Sequence, residues 1–325
     1  MVVFFANINL GSVSIDSKEV FKTLFGIDVM NNTNHYIILN YRLPKAITSV
    51  IVGSGLSVSG LLMQTLFRNP LAGPYVLGLS SGASLGVAIV ILGATFLNGF
   101  LGTILLSQWS ITIASSIGSF LVLLSVLLVS IKIKDTMALL IIGLMFASIT
   151  AAIVSVLSYF SNAEELQRYI FWSFGSLGNL SWNEIGILAI VYGFGILLSI
   201  LSIKWLNSLL LGNDYAKSLG LNIKRSRFII ILATSLLAGS ITAFTGPIAF
   251  VGLAVPHLTK LLFTTANHKI VLPAVMLSGS ILMLICDTIA QLPNSDYTLP
   301  INAVTSLIGA PVVIWLLIRK KKLFV

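Results

Sequence analysis

Apolar residues in this chain do not recur with the spacing of an amphipathic surface helix. They fill long runs at about 44–66, 75–97, 109–131, 136–160, 184–206, 228–245, 248–263, 270–290 and 299–318. Between the runs lie short corners where charge, proline and asparagine collect. About 20 apolar residues carry a helix across the ~30 Å hydrocarbon core of a bilayer. Lipid offers no partners for backbone N–H and C=O groups, so such runs span as helices; they are far too long for barrel strands. The pattern predicts an all-α polytopic membrane protein, a single transmembrane domain over residues 1–325. The seventh run is the short one, bounded by Pro247 and containing Pro256.

Composition agrees. The chain is 57% hydrophobic and 9% charged, with a mean hydropathy of +1.02, against about 45–50% apolar and about 25% charged for a soluble domain. Its one cysteine, Cys286, lies inside an apolar run, so no disulfide framework or Cys/His metal spacing is available. No GxxxxGK[ST] loop occurs, so the chain has no P-loop ATPase of its own. No catalytic, cofactor or metal residues are expected in it.

Charge gives the orientation. Lys and Arg gather in cytoplasmic loops, and the C-terminal tail Arg319-Lys320-Lys321-Lys322 is placed there. Counting back along alternating corners puts Arg68, Lys132, Lys134, Lys204, Lys217, Lys224, Arg225, Arg227, Lys260 and Lys269 on the same side. That side then carries 14 of the 19 basic residues. The net charge of +9 is thus a positive-inside signature rather than a nucleic-acid footprint. Residues 1–43 fall outside. They open with "MVVFFANINL", too short to span and without the basic start of a signal peptide. Either the protein begins outside, or this stub is the remnant of a truncated first helix.

Several polar and small residues interrupt the apolar pattern. Ser49, Gly53, Ser57, Gly60 and Gln64 share one helical face, and Gly78, Gly82 and Gly86 recur every four residues. Small residues at that spacing let helices approach closely in lipid; the competing reading is a pore-lining stripe. "LFRNPLAGPYVLGLSSG" (66–82) places Pro70, Gly73 and Pro74 in a corner that cannot continue a helix. "LGNDYAKSLGLNIKRSR" (211–227) allows a short helix at Asp214–Leu219, ended by Gly220. It is either a solvated loop or a docking element. "TGPIAFVGLAVPHLTK" (245–260) predicts a helix bent or broken at Pro247 and Pro256. His257 reads as a packed or interfacial residue rather than a ligand. "AEELQRYIFWSFGSLGNLSW" (163–182) reads as a short helix and turns, either an interfacial anchor with Trp172 and Trp182 at the membrane interface or a helix lining the outer vestibule. Asp287 is the one acid clearly inside an apolar run. A charge at mid-span costs roughly 2.5–3.5 kcal/mol on insertion scales, so it is expected to make a buried helix-to-helix contact.

Four stretches together resemble the FecCD family, permease subunits of binding-protein-dependent ABC importers for ferric siderophores, haem and cobalamin. They are "YRLPKAITSVIVGSGLSVSGLLMQTLFRNPLAGPYVLGLSSGASLG", "LGNDYAKSLGLN", "GPIAFVGLAVPHLTKLL" and "LPINAVTSLIGAPVVIWLL". The resemblance implies about ten helices per subunit and a second permease subunit, identical or paralogous. It implies two cytoplasmic ATPases that use ATP and Mg, and an extracytoplasmic substrate-binding protein. The setting is a bacterial cytoplasmic membrane.

By matched position it implies an ATPase-coupling loop at 207–227, with Asp214, Ala216 and Gly220 as coupling residues. Asn69, Leu71 and Thr136 would form a cytoplasmic gate, and Arg42 and Lys45 an outer docking site for the binding protein. Lys45 stands where arginine is usual, Gln291 where a third arginine is common, and Thr298 replaces a usual glutamate. The function expected is inward passage of an iron chelate, foremost a ferric siderophore. The alternatives are a secondary active transporter and a membrane scaffold. A secondary transporter needs coupling groups in the membrane, and Asp287 is nearly alone.

Overall fold

A computed structural model describes residues 1–26, 32–93, 106–132, 136–293, 295 and 297–321. Each of the nine apolar runs holds one principal helix. The longest begins earlier than its apolar run. Helix α3 (Asn32–Ile37) passes through a π turn at Ile38–Arg42 into α4 (Leu43–Leu66). The helical segment Thr33–Leu66 has 34 residues, about 50 Å at 1.5 Å per residue. The segment read as external through residue 43 is therefore partly the first turns of this helix. Two short helices precede it, α1 (Val2–Asn9) and α2 (Ser17–Leu24), the latter N-capped by Asp16.

The remaining helices are α5 (Leu79–Ile91), α6 (Gln108–Lys132), α7 (Thr136–Phe160), α8 (Ala163–Ser173), α9 (Trp182–Leu201), α10 (Ile203–Leu210), α11 (Asn213–Ser218), α12 (Ile223–Thr245), α13 (Val251–Leu262), α14 (His268–Ala290) and α15 (Ile301–Lys321). Residues 94–97 of the second run lie outside the described residues, as do Asp28, Lys134, Asp296 and Lys322 of the charge pattern.

Helix α4 is the hub. It packs against α14, α12, α13 and α9, and 89% of its most apolar window is buried. At the other extreme, only 11% of the corresponding window of α7 is buried. Its apolar outer face includes Ile141, Leu144, Met145 and Ile149, each more than half exposed. A face of that kind is at home in lipid or against another membrane subunit.

The seventh run departs from a simple span. Helix α13 has 12 residues, about 18 Å of helix, too short for the ~30 Å core. Residues 246–250 precede it without helical structure. Pro247 therefore does not bend a helix, as its sequence context suggested; it lies in this linker. Only Pro256 sits inside α13. Non-helical backbone at membrane depth is tolerated where protein covers it, and here partners are present. Thr245 O accepts from Ser176 N at 2.8 Å, and Ala249 N donates to Asn302 Oδ1 at 3.0 Å. Phe250 takes a left-handed conformation (φ 66) to start α13, and its side chain fills the space beside Gly309 of α15.

Candidate functional site

One end of the bundle gathers the corners after α4, α10 and α13. Helix α11 is a single short segment, buried only at Ala216, with Tyr215 and Leu219 more than half exposed. Its end follows from backbone chemistry. Gly220 adopts φ +82; its N–H donates to Lys217 O at 2.9 Å, and Leu221 N donates to Ala216 O at 3.0 Å. These two bonds satisfy the last carbonyls in a Schellman closure, which needs the left-handed residue glycine supplies. Nothing lies within 4 Å of where a Gly220 Cβ would point. Asp214 is 3.2 Å from Lys217, both side chains well exposed, a pair worth little in water. Of the three coupling candidates, Asp214 and Gly220 thus face outward and Ala216 anchors the segment inward.

The proline corner leads to the same place. Arg68, strained at φ 48, brings its guanidinium 3.5 Å from where a Gly212 Cβ would sit. Asn69 Oδ1 accepts from Leu71 N at 2.9 Å, and Asn69 N donates to Gln64 O at 3.1 Å. Asn69 thus shapes its own turn, and Leu71 is left 40% exposed. Thr136 is the first residue of α7; its side chain lies outside the described residues.

At the opposite end, the two expected docking cations are occupied within the chain. Arg42 is only 8% exposed. Its guanidinium donates to Ile8 O at 2.8 Å, Asn9 O at 2.9 Å, and Val13 O. It clamps the N-terminal segment through three backbone carbonyls. Lys45 Nζ lies 3.1 Å from Asp287 Oδ1, with side-chain exposures of 24% and 2%. Asp287 Oδ2 also accepts from Asn7 Nδ2 at 2.9 Å and Gln291 Nε2 at 2.7 Å. The lone intramembrane acid is therefore a four-residue contact joining α1, α4 and α14, and Gln291 serves it directly. A cavity of about 490 Å³ opens above this pair, lined also by Phe174, Ser176, Asn179 and Thr298.

The glycine faces lie where helix backbones meet. A Cβ on Gly53 would overlap the backbone of Gly279 on α14, and one on Gly60 that of Gly252 on α13. Gly82 and Gly86 bring α5 onto Gly118 and Ala114 of α6. Gly78, at φ +78, turns the chain into α5 with its Cα side toward Gly143 of α7. These contacts favour packing over a pore-lining stripe for the α4 face. Gln64 reaches Leu253 O at 3.0 Å. The open polar surface is elsewhere. A groove of about 390 Å³ between α5 and α7 is lined by Ser80, Ser81, Ser84, Thr150, Ser155, Tyr169 and Pro247. The Ser84 and Tyr169 hydroxyls hydrogen-bond across it. Sequence reading passed over this groove, although three serines within five residues of an apolar run were its available signal.

The described residues form a many-helix membrane bundle with a broken span and a short, exposed helix at one end. The sequence profile of the FecCD transport family matches residues 1–319, and the chain belongs to that family of ABC-importer permeases. It is 34% identical over 323 residues to the hemin transport system permease protein HmuU of Yersinia pestis, covering 99% of this chain and 93% of that one. It is 32% identical over 296 residues to the vitamin B12 import system permease protein BtuC of Salmonella typhi, covering 91% and 87%. Among solved structures, a metal-chelate-type ABC transporter in an inward-facing conformation superposes with a TM-score of 0.84 at 30% identity, covering 98% and 96%. PsaBC from Streptococcus pneumoniae, at TM-score 0.51 and 18% identity over 84% of this chain, shares the fold alone.

Proposed function

We propose that this chain moves a metal chelate inward, foremost a ferric siderophore, as one of two permease subunits powered by separate ATPases that use ATP and Mg. The observation that carries the reading is α11, held by Ala216 and closed by Gly220, with its open face at the end where the basic corners meet. A rigid short helix of this kind transmits the closure of an ATPase cleft as a tilt. In this reading Asn69, Leu71 and Thr136 narrow the inner mouth, and that end with the C-terminal tail faces the cytoplasm. The hydroxyl-lined groove between α5 and α7 is this chain's half of the path, completed by the second subunit against the apolar face of α7. Its uncharged lining mixes hydroxyls with Ala147, Ala151 and Val154, which suits a cargo that presents both polar and apolar surface. The substrate-binding protein docks over the cavity at Lys45 and Thr298. That docking rests on shape more than on fixed ion pairs, since Arg42 is engaged and Lys45 is paired. A secondary transporter gains no support, because Asp287 is already bound by Lys45, Asn7 and Gln291.

The test is reconstitution in vesicles with the ATPase and binding protein, offering ferrichrome, hemin and cyanocobalamin separately. ATP-dependent accumulation is expected, greatest for ferrichrome, and Gly220→Leu should reduce it at least tenfold while weakening ATPase binding. A preference for hemin or cyanocobalamin would replace the siderophore assignment. Accumulation driven by an ion gradient without ATP would reject the importer reading.

A further inference from the structure

Helix α11 packs on α10 and on the start of α12, with Ala216 buried in the apolar core. It hangs from α10, a short helix that packs against both α4 and α14 through its buried face, Leu206 and Leu209. At that junction lies a hydrogen-bond chain, buried between Thr65 and His268 and half-buried at Asn207. Asn207 Oδ1 on α10 accepts from the His268 backbone N–H at 2.9 Å and from His268 Nδ1 at 2.8 Å. The backbone donor fixes the orientation of the amide oxygen, and the oxygen fixes the imidazole proton on Nδ1. His268 Nε2 is then an acceptor, and Thr65 Oγ1 at the end of α4 donates to it at 2.9 Å. Thr65 is 2% exposed and His268 1%. On its other side Asn207 Nδ2 donates to Asn267 Oδ1 at 3.0 Å, and that oxygen also caps α14 by accepting from Lys269 N. Both ring nitrogens of His268 are hydrogen-bonded, and three helices meet in one imidazole.

Helices α4 and α14 behave as one piece beyond this point. They approach backbone to backbone at Gly53 and Gly279, and Ser280 Oγ donates to Val50 O at 3.1 Å. Their far ends are joined by Lys45 and Asp287. A displacement delivered to Thr65 and His268 is therefore delivered to both helices along their length. Well-packed elements of this kind shift as rigid bodies rather than deform.

We propose that the Thr65–His268–Asn207 chain is the mechanical link that carries movement of the ATPase-docking segment into the α4–α14 pair. The three are positioning residues, and the inference rests on α11 being the docking element. The link is directional in its chemistry: imidazole joins a side-chain acceptor on α10 to a side-chain donor on α4, so neither helix can turn about its axis without breaking a bond to the buried imidazole. Leaving such a group unpaired is costly.

The test needs no cargo. The complete permease–ATPase complex in lipid nanodiscs is compared without nucleotide and trapped with ATP and vanadate, by backbone hydrogen exchange. In the unaltered protein, trapping should change exchange both in residues 203–222 and at the ends of α4 and α14. Thr65→Val, which keeps the shape and removes one hydroxyl, should retain the change in 203–222. Its nucleotide-dependent change at α4 and α14 should fall at least threefold, and Thr65→Ser should restore it. A purely structural role would alter basal exchange in both states equally and leave the difference intact; that result overturns the link. So does an unaltered protein whose response stops at 203–222. A complex in which 203–222 shows no response to nucleotide overturns the docking reading itself, and the link with it.

Discussion

At the residue scale the pairing of Lys45 with Asp287 makes an asymmetric prediction. Asp287 is 2% exposed, whereas Lys45 keeps 24% of its side chain open. Removing the lysine strands a buried carboxylate with two amide donors, Asn7 and Gln291. Removing the acid leaves a lysine that can turn into the cavity and recover water. Breaking a buried pair from the trapped side costs roughly 3–5 kcal/mol, while replacing both partners is often close to neutral. Lys45→Met is therefore expected to lower the detergent melting temperature more than Asp287→Asn, and the double variant to regain most of the loss. Equal losses from the two single variants, adding in the double, would show that the pair is not the interaction that holds α4 to α14 at this end. The acid itself was legible in the sequence as a buried contact. Its partners were not: Asn7 is 280 positions away, and nothing local marks a distant amide as a partner.

At the element scale the small residues separate by what they face. A Cβ on Gly60 would collide with the backbone of Gly252, which cannot move aside as a flexible side chain can. Gly193, in the middle of α9, has nothing within 4 Å of its Cβ direction. Gly60→Ala is expected to destabilise by more than ~3 kcal/mol, at or above the usual range for overpacking, because α4 and α13 must part. Gly193→Ala should be neutral or stabilise by up to about 1 kcal/mol through helix propensity. Thermal melting of the two variants in the same detergent checks the contrast; comparable losses would contradict the close approach.

Spacing alone revealed the small-residue faces, since a four-residue repeat survives any tertiary arrangement. Run length gave the helices in the same way. It failed at 248–263, where the helix begins only at Val251 and residues 246–250 run without helical structure. An extended linker and a helix look alike in hydropathy, and the hydrogen bonds from Ser176 and to Asn302 that make the linker tolerable come from far along the chain.

At the scale of the whole molecule, two independent observations sort the chain into ends. Contacts bring Arg68 beside Gly212, and Asn207 beside Asn267, at one end. They bring Lys45 to Asp287, and Trp182 Nε1 to Leu39 O at 3.2 Å, at the other. The charge pattern divides the same corners, 14 basic residues of 19 falling with Arg68. Geometry says which corners meet, and the proposal that the Arg68 end faces the cytoplasm rests on the gathering of Lys and Arg in cytoplasmic loops. The sidedness is testable through the protein's own chemistry. Cys286 is fully buried, so a Cys286→Ala background should lose little and be silent to thiol reagents. Ser218, exposed on α11, and Tyr297, 79% exposed at the opposite end, are then replaced singly by cysteine. A membrane-impermeant maleimide applied to right-side-out vesicles should label Tyr297→Cys at least tenfold faster than Ser218→Cys, and inverted vesicles should reverse the ratio. Labelling of both from one side would break the two-ended arrangement. Labelling in the reversed sense would keep the fold but place α11 outside, where no ATPase can reach it, and the importer reading would fall on topology alone.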